Sequence, residues 1–262
     1  MKDIKVIVAT HKKYQMPTDE MYLPVHVGAE GKDSIGYVPD NTGDNISNKN
    51  PYFCELTGLY WAWKNLRADY IGLVHYRRHF TISKSVPKEE KQKFDILLTK
   101  EQTESILDNT DVVLPVKRNY YIENLYSHYE HTMYVEPLDI TGEIIKEKYP
   151  HYSAEFDKLH HRTSAHMFNM MIMKKEVLDK YCEWLFDILF ELEKRTDITK
   201  YDAFHARFFG RVSELLLDVW INTNKIQFAE VKVVDMQNVN WIKKGMSFLS
   251  AKFGGKKYDK SF

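Results

Sequence analysis

The sequence has few cysteines and no motif built from them. Its 262 residues include two cysteines, Cys54 and Cys182, which lie far apart in apolar, aromatic stretches. Neither belongs to a CxxC pair or to a Cys/His spacing typical of zinc ligands, and the eleven histidines show no such spacing either. We therefore expect two buried free thiols in a reducing compartment, with no disulfide framework and no zinc site.

The chain also lacks an excess of charge and a long apolar run. Thirty-seven basic residues balance thirty-seven acidic ones, so no overall field attracts the molecule to nucleic acid, and no basic recognition helix is present. No apolar run reaches the roughly 20 residues of a membrane-spanning helix. The N-terminus, residues 1–8, is typical of a strand and not of a signal peptide. The sequence thus predicts a cytoplasmic protein whose charged site is local.

Strand and helix patterns alternate along most of the chain, and 44% of its residues are apolar. Apolar and β-branched runs predict strands at 5–9, 25–29, 70–74, 111–115, 167–173 and 228–234. Helical periodicity predicts helices at 51–65, 100–109, 141–149, 175–195 and 203–223. Such alternation is typical of an α/β fold with a mostly parallel sheet flanked by helices, in which ligands bind beyond the carboxyl ends of the strands.

Two adjacent arginines follow the strand predicted at 70–74. The segment His75-Tyr76-Arg77-Arg78 brings both guanidinium groups to the carboxyl end of a buried strand. A guanidinium group is planar and can donate two parallel hydrogen bonds to phosphate oxygens, which makes Arg77 and Arg78 candidates for neutralising a diphosphate. A structural ion pair or a solvated strand end explains the same pattern. The residues alone leave these alternatives open.

The segments around these arginines resemble a family of bacterial capsular and exopolysaccharide biosynthesis proteins that was long labelled a domain of unknown function. The matching segments are Asp44–Ser47, Asn50, Glu55–Asn65, Asp69–Arg78, His166–Met170 and Arg211–Glu214. Members resemble GT-A-type glycosyltransferases, and some are assigned to transfer a hexose or galactofuranose from a UDP donor to a lipid-linked repeat unit. The resemblance implies one GT-A-like domain over residues 1–240, with a Rossmann-like nucleotide-sugar-binding half (1–116) and an acceptor and catalytic half (117–240).

The resemblance also implies a departure from the usual metal site. In GT-A enzymes a comparable strand leads into an Asp-x-Asp motif that holds a divalent cation, whereas this position here is His75-Tyr76-Arg77. We therefore expect no metal and no other cofactor, with Arg77 and Arg78, assisted by His75, supplying positive charge to the leaving UDP. A non-catalytic member that binds a nucleotide or glycan is the alternative, and the missing motif is its best support.

Polar loops after the first two strands are candidates for binding the nucleoside part of a UDP-sugar. Glycine there permits a close backbone approach, and the other side chains offer hydrogen-bonding groups, although ordinary Asx turns and helix caps explain each of them as well. Together with the arginine segment, the predicted nucleotide-sugar contacts are Thr10, His11, Lys12, Gly28, Ala29, Asp44, Asn45, Ser47, His75, Tyr76, Arg77 and Arg78.

Inverting glycosyl transfer needs a base that removes the proton of the acceptor hydroxyl. Glu214 lies on an otherwise apolar helix face, Asp202 comes just before that helix, and His166 is on the strand expected beneath the acceptor. These three residues are the predicted catalytic candidates. A buried ion pair of Glu214 with Arg207 or Arg211 explains the pattern equally well.

Acceptor recognition is predicted in the second half of the chain. Asn169 and Arg211 are candidate contacts to the acceptor, and several tyrosines can stack on sugar rings: Tyr120, Tyr121, Tyr126, Tyr129 and Tyr134. Residues 241–262 combine bulky apolar side chains with lysines and a single acidic residue, Asp259. This composition favours a basic amphipathic tail at the inner leaflet of the membrane, near a polyprenyl-diphosphate-linked glycan acceptor, and a disordered solubilising tail is the alternative.

Overall fold

The computed structural model of the protein describes residues 1–237. Their strands are β1 (Ile4–Thr10), β2 (Tyr22–His26), β3 (Val38–Pro39), β4 (Tyr70–His75), β5 (Arg78–Thr81), β6 (Val112–Pro115), β7 (Arg118–Asn119), β8 (Ser164–Ala165), β9 (Met171–Lys174) and β10 (Ala229–Asp235). Their α-helices are α1 (Asn50–Phe53), α2 (Leu56–Asn65), α3 (Glu90–Lys93), α4 (Lys100–Leu107), α5 (Leu125–Thr132), α6 (Glu136–Lys148), α7 (Ser153–Asp157), α8 (Lys175–Arg195) and α9 (Phe208–Thr223). The tail predicted at 241–262 lies outside these residues.

One mixed sheet contains eight of these strands, and β4 is central to it. β4 pairs parallel with β1 on one side and antiparallel with β9 on the other. β1 continues in parallel to β2, which pairs in parallel with β3. Beyond β9, the antiparallel neighbour is β6, and β10 joins β6 in parallel and β5 in antiparallel. The α/β class is confirmed, but the mostly parallel layout is not, because β9 runs against both of its neighbours.

Gly72 explains how β9 lies so close to β4. A Cβ atom at this position would lie 2.8 Å from the backbone carbonyl oxygen of Met171 and 2.9 Å from the side chain of Ile172. Neither backbone atom nor buried side chain can give way at such a distance. The glycine in the Tyr70–His75 strand is therefore a packing requirement of the sheet.

The sheet is buried on both faces, as the near-continuous apolar strands predict. Ile7, Ile71 and Leu73 belong to a large core cluster that also holds the inner faces of α2, α6, α8 and α9. Val6 and Val74 point to the other face and pack in a second cluster with residues of α4. Because side chains alternate across a strand, one run of apolar residues supplies both layers.

The helices agree with the sequence where apolar residues recur at helical spacing over a long stretch. α8 begins and ends at the predicted residues, Lys175 and Arg195. The helix predicted at 51–65 is instead two helices, because Cys54 between them adopts a φ of 54°. The helix predicted at 203–223 begins as a short 3-10 turn, and its α-helical part starts at Phe208.

The expectation for the cysteines is met in part. Both cysteines are free, and Cys182 is buried as predicted, whereas Cys54 is only half-buried. None of the helices within residues 1–237 has the length and apolar character needed to cross a bilayer.

Candidate active site

A cleft of about 900 Å³ opens at the carboxyl ends of β1 and β4. Its walls come from the ends of these two strands, α1 and the residues that join it to α2, the segment from β7 through α5, the segment before β9, and the start of α9 with the residues just before it. Parallel strands bring their carboxyl ends to the same edge of a sheet, which is where α/β proteins bind ligands. The volume is in the range of sites for drug-sized organic ligands.

The cleft concentrates positive charge in a chain with no net charge. Within residues 1–237, two carboxylates line it, from Glu55 and Glu214. Five guanidinium groups line it as well, from Arg77, Arg78, Arg118, Arg207 and Arg211. Positive charge focused in a concave site attracts anionic ligands even when the whole molecule is neutral.

The turn between β4 and β5 is fixed by backbone hydrogen bonds to two other strands. The Tyr76 amide donates to the Ala9 carbonyl at 3.2 Å, and the Met236 amide donates to the Arg77 carbonyl at 2.8 Å. β1 and the end of β10 therefore hold both residues of the turn. These hydrogen bonds restrict the backbone of the turn and so hold the arginine side chains at the cleft.

The two arginines of this turn have different surroundings. The Nε atom of Arg78 lies 3.3 Å from the Asp235 carboxylate, and its guanidinium group stacks over the Phe168 ring at 4.6 Å. Burial lowers the pKa of Arg78, with Asp235 acting in the opposite direction. Arg77 has no ion-pair partner among the residues that the structure describes, and its guanidinium group lies 5.3 Å from the Tyr76 ring centre. Arg77 is thus a cation available to a ligand.

The segment before β9 closes the floor of the cleft with an unusual backbone. Phe168 and Asn169 have φ angles of 79° and 53°, a left-handed conformation that costs energy for a bulky aromatic residue. The Phe168 carbonyl oxygen lies 2.5 Å from Nε2 of His75. Because a carbonyl oxygen can only accept a hydrogen bond, Nε2 of His75 carries the ring proton and is the donor.

Glu214 lies at the base of the cleft in a buried ion pair. Its side chain is 7% exposed, and one oxygen lies 3.4 Å from Nη1 of Arg211. Burial and the charge of Glu55 raise the pKa of Glu214, while Arg211, Arg78 and His75 act to lower it. The ion pair anticipated as an alternative therefore exists with Arg211. Arg207 instead donates from Nε to the Cys54 sulfur at 3.0 Å.

Glu55 is the second carboxylate of the cleft and is half-buried at the start of α2. Its Oε1 accepts a hydrogen bond from Nδ2 of Asn169 at 2.8 Å, and the same amide donates to the Gly210 carbonyl at 3.1 Å. Three separate parts of the chain, α2, the segment before β9 and the start of α9, therefore meet at this carboxylate.

Residues 5–225 match a protein family described as a domain of unknown function, DUF4422. The chain belongs to this family. Among solved structures, the apo structure of the bifunctional glycosyltransferase WbbM is similar, with 30% sequence identity and a TM-score of 0.82. The match covers 90% of this chain and 46% of the WbbM chain, so this chain spans less than half of that protein. No curated protein matches the chain significantly.

The fold of this DUF4422 chain is thus that of a glycosyltransferase-like protein. GT-A folds imply a divalent cation, but the residues at the end of β4 do not suit one. Hard cations take oxygen ligands, whereas the β4–β5 turn presents an imidazole and two guanidinium groups, and a guanidinium group has no lone pair to offer. The carboxylates near this turn are already paired, Asp235 with Arg78 and Glu214 with Arg211. Among residues 1–237, no three His, Cys, Asp or Glu side chains are grouped as metal ligands.

Eight of the residues predicted from the sequence line the cleft of this DUF4422 chain. They are Thr10, His11, His75, Tyr76, Arg77, Arg78, Arg211 and Glu214. The Lys12 side chain lies outside the lining, with its ammonium group 5.3 Å from the Tyr76 ring centre. Among the predicted sugar-stacking tyrosines, Tyr120, Tyr121 and Tyr129 line the cleft. Tyr126 instead stacks on His160, and Tyr134 packs beside Tyr201.

The predicted contacts on the loop after β2 surround a buried carboxylate instead of lining the cleft. Asp40 accepts hydrogen bonds from the amides of Gly28 and Ala29 and from the hydroxyls of Ser47 and Thr57. Asp44 accepts a hydrogen bond from the Tyr60 hydroxyl of α2, and Asn45 donates one to the Gly43 carbonyl of its own loop. The close approach that Gly28 permits is to the Asn50 side chain, which an added Cβ atom would overlap.

Three further candidates lie away from the cleft lining. His166 is fully buried, and its ring nitrogens face the carboxylates of Asp218 and Glu230. Asp202 accepts hydrogen bonds from backbone amides and the ring of His205 at the start of a 3-10 turn. Asn169 is buried behind Glu55. These three side chains therefore pack in the fold or hold neighbouring groups in position, and they do not line the cleft.

Sequence reasoning missed three charged residues of the cleft and the buried Asp40. Glu55 begins one of the segments that carry the family resemblance, so a signal for it existed. Arg207 was considered only as a partner of Glu214. Arg118 has no local signal, because β7 is a two-residue strand that pairs with the distant β8, Arg118 with Ala165 and Asn119 with Ser164.

Proposed function

We propose that the chain is a UDP-sugar-dependent glycosyltransferase that passes a hexose or galactofuranose, with inversion, to a lipid-linked oligosaccharide in capsular polysaccharide, exopolysaccharide or O-antigen biosynthesis. The observation that carries the proposal is Arg77, a cation without an ion-pair partner in the described residues, at the carboxyl end of β4 in a positively charged cleft. The similarity to the glycosyltransferase WbbM supports the reaction type. WbbM is bifunctional, and this chain corresponds to less than half of it.

In this proposal the donor lies across the ends of β1 and β4. Its nucleoside occupies the side formed by Thr10 and His11, and its diphosphate faces Arg77. When the anomeric C–O bond breaks, negative charge develops on the β-phosphate oxygen, and a fixed guanidinium group stabilises that charge more in the transition state than in the ground state. Arg78, held by Asp235, adds to the positive potential.

The acceptor then enters from the opposite wall, which β7, α5 and α9 supply. Tyr121 is 87% exposed on this wall and Ile122 is 58% exposed, so both offer apolar surface at the rim. An aromatic ring of this kind stacks on the apolar face of a sugar. Arg211 is a further proposed acceptor contact, since 42% of its side chain is exposed to the cleft.

The test is a calorimetric titration of the purified protein with UDP, in EDTA and in manganese, coupled to an assay of UDP release from a panel of UDP-hexoses and UDP-galactofuranose. We expect UDP to bind equally well in both buffers and at least one donor to release UDP when octyl galactoside is added. No UDP binding would disprove the proposal, and binding that needs manganese would disprove the arginine mechanism. Binding without release from any donor would favour the non-catalytic alternative.

A further inference from the structure

We propose that Glu55, and not Glu214, is the general base of the transfer, and that Asn169 holds it in position. This inference rests on the proposed function, since a base is needed only if a glycosyl group is transferred to a hydroxyl. It assigns a role to two residues at the meeting point of α2, β9 and α9.

The two cleft carboxylates differ in how well they can accept a proton from a substrate. Glu214 is almost fully buried, and its oxygens face Arg211. Burial raises the pKa of Glu214, whereas the neighbouring Arg211 acts to lower it, so Glu214 is buried against a cation and away from an incoming acceptor. Glu55 is half-buried in the cleft wall, where a bound molecule can reach it. Of the two carboxylates, Glu55 is therefore the one that an acceptor hydroxyl can reach.

Charged groups of the α9 region lie around Glu55. Arg207 and Arg211 of the α9 region interact electrostatically with it, as do Glu214 on α9 and the neighbouring Cys54. Burial raises the pKa of the Cys54 thiol to about 11, so this neighbour stays uncharged near neutral pH.

Asn169 is built to orient this carboxylate. Its Nδ2 must face both Glu55 and the Gly210 carbonyl, because both partners are acceptors and the amide oxygen cannot donate to them. The opposite atom, Oδ1, is buried and has no hydrogen-bond partner among the described residues. A buried unpaired acceptor costs free energy, whereas the left-handed φ of 53° is one that asparagine tolerates. Asn169 keeps the unpaired oxygen while it directs its amide at Glu55, and local costs of this kind are expected at functional sites.

The reaction balances with these groups. The acceptor oxygen attacks the anomeric carbon from the face opposite UDP, and the carbon–oxygen bond to the β-phosphate breaks with its electron pair passing to UDP. The acceptor proton moves to the free carboxylate oxygen of Glu55 and later leaves to water. The amide of Asn169 remains on Oε1 throughout, so that the second oxygen faces the acceptor.

The first experiment compares Glu55→Gln with Glu214→Gln in UDP release from the donor that the panel assay selects, with octyl galactoside as acceptor. We expect E55Q to lower kcat by about 10²- to 10⁴-fold, which is the usual contribution of a general base, while calorimetry gives unchanged UDP affinity. E214Q should lose far less. Equal activity of E55Q and wild type, or a larger loss in E214Q, would overturn the assignment. A wild-type protein that does not bind UDP would instead show that the proposed function is wrong.

The second experiment tests the positioning role with Asn169→Ala, and Glu55→Asp serves as a milder change of the base. N169A should lower kcat with the donor KM unchanged, and the acidic limb of its kcat/KM profile should move to higher pH, because the carboxylate loses a hydrogen bond that favours its charged form. E55D should recover part of the activity that E55Q lacks. An N169A protein with a lower melting temperature but an unshifted pH profile would reduce Asn169 to a structural residue.

Discussion

At the scale of single residues, Arg77 is the side chain whose role is easiest to separate from folding, because the described contacts include no ion pair to lose. We expect Arg77→Ala to lower kcat/KM by roughly 10²-fold or more, in line with the loss of one strong transition-state charge contact. Stability should hardly change. The measurement is UDP-release kinetics together with thermal unfolding.

The matched control for this prediction is Arg67→Ala. Arg67 is exposed on the loop after α2 and does not line the cleft. The Arg67→Ala substitution removes the same charge as Arg77→Ala, so a general effect of net charge would appear in both variants. If R77A and R67A behave alike in kinetics, Arg77 does not contact the diphosphate.

Among the charged residues of the cleft, the sequence predicts Arg77 and Glu214 but not Glu55 or Arg118. Arg77 and Glu214 stand out as charged residues that interrupt apolar patterns, one after a strand and one on a helix. Glu55 does not, because it precedes an apolar helix where acidic residues are common for reasons of helix polarity. Arg118 reaches the cleft only through the pairing of β7 with the distant β8, a contact that no local pattern encodes.

At the scale of elements, Asp40 anchors the long loop after β2 to Ser47 and to Thr57 of α2, and Gly28 sets how closely the loop approaches α1. We expect Gly28→Ala to destabilise the protein by about 2 to 4 kcal/mol, since it combines a strained φ of 66° with overlap of the Asn50 side chain. Gly31→Ala is the matched control: its φ is 68°, but a Cβ atom there has no neighbour within 4 Å.

Chemical unfolding of both variants measures the difference. The control should lose only about 1 to 2 kcal/mol from backbone strain, and the excess loss in G28A is the free energy of close packing. Equal losses in the two variants would mean that Asn50 moves aside freely.

Element boundaries and strand directions were predicted unequally well, for physical reasons. α8 is 21 residues long with buried positions spread at helical spacing, and this pattern alone fixes both of its ends. The break between α1 and α2 depends on a single positive φ at Cys54, and a non-glycine residue gives no warning of it. β9 is shorter than predicted because Phe168 and Asn169 are left-handed. Its antiparallel direction is set by pairing with β4 and β6, not by its own residues.

At the scale of the whole molecule, buried histidines should make stability depend on pH. Burial lowers the pKa of His79 to about 3, and burial is also the main cause that lowers the pKa of His128 to about 4. An unfolded histidine has a pKa near 6.5. The unfolded state therefore takes up these protons first as the pH falls below about 6.5. Their contribution to stability is complete above that pH and is lost progressively towards pH 3 to 4, at about 1.4 kcal/mol per pH unit for each histidine.

The variant that isolates this effect is His79→Phe, with His161→Phe as an exposed control. The slope of unfolding free energy against pH measures the number of protons taken up on unfolding. Between pH 6 and 4.5, we expect this number to fall by about one in H79F and to stay as in wild type in H161F. An unchanged slope in H79F would show that His79 is protonated in the folded protein.

At the same scale, the composition of the C-terminal residues leads us to propose that the protein binds the inner face of the membrane. Residues 241–262 contain lysines beside Trp241, Phe248 and Phe253, and each lysine near an anionic surface contributes about 1 kcal/mol. We expect the full chain to float with vesicles containing phosphatidylglycerol at low salt and a chain ending at residue 240 to remain in solution. Vesicles of phosphatidylcholine are the control, and equal flotation of both chains would assign membrane binding to another part of the protein.

The insertion of β9 between β4 and β6 has a consequence for how the protein is made. Residues 171–174 complete the hydrogen bonds of a strand that ends at residue 75, and β10 near residue 230 completes those of β5 and β6. On the ribosome, about a hundred residues must follow β4 before its second edge is covered. During that time an apolar strand edge is open to pairing with other chains. We expect synthesis to be the stage at which this protein depends most on chaperones, and fragments 1–116 and 117–262 to be insoluble when each is produced alone.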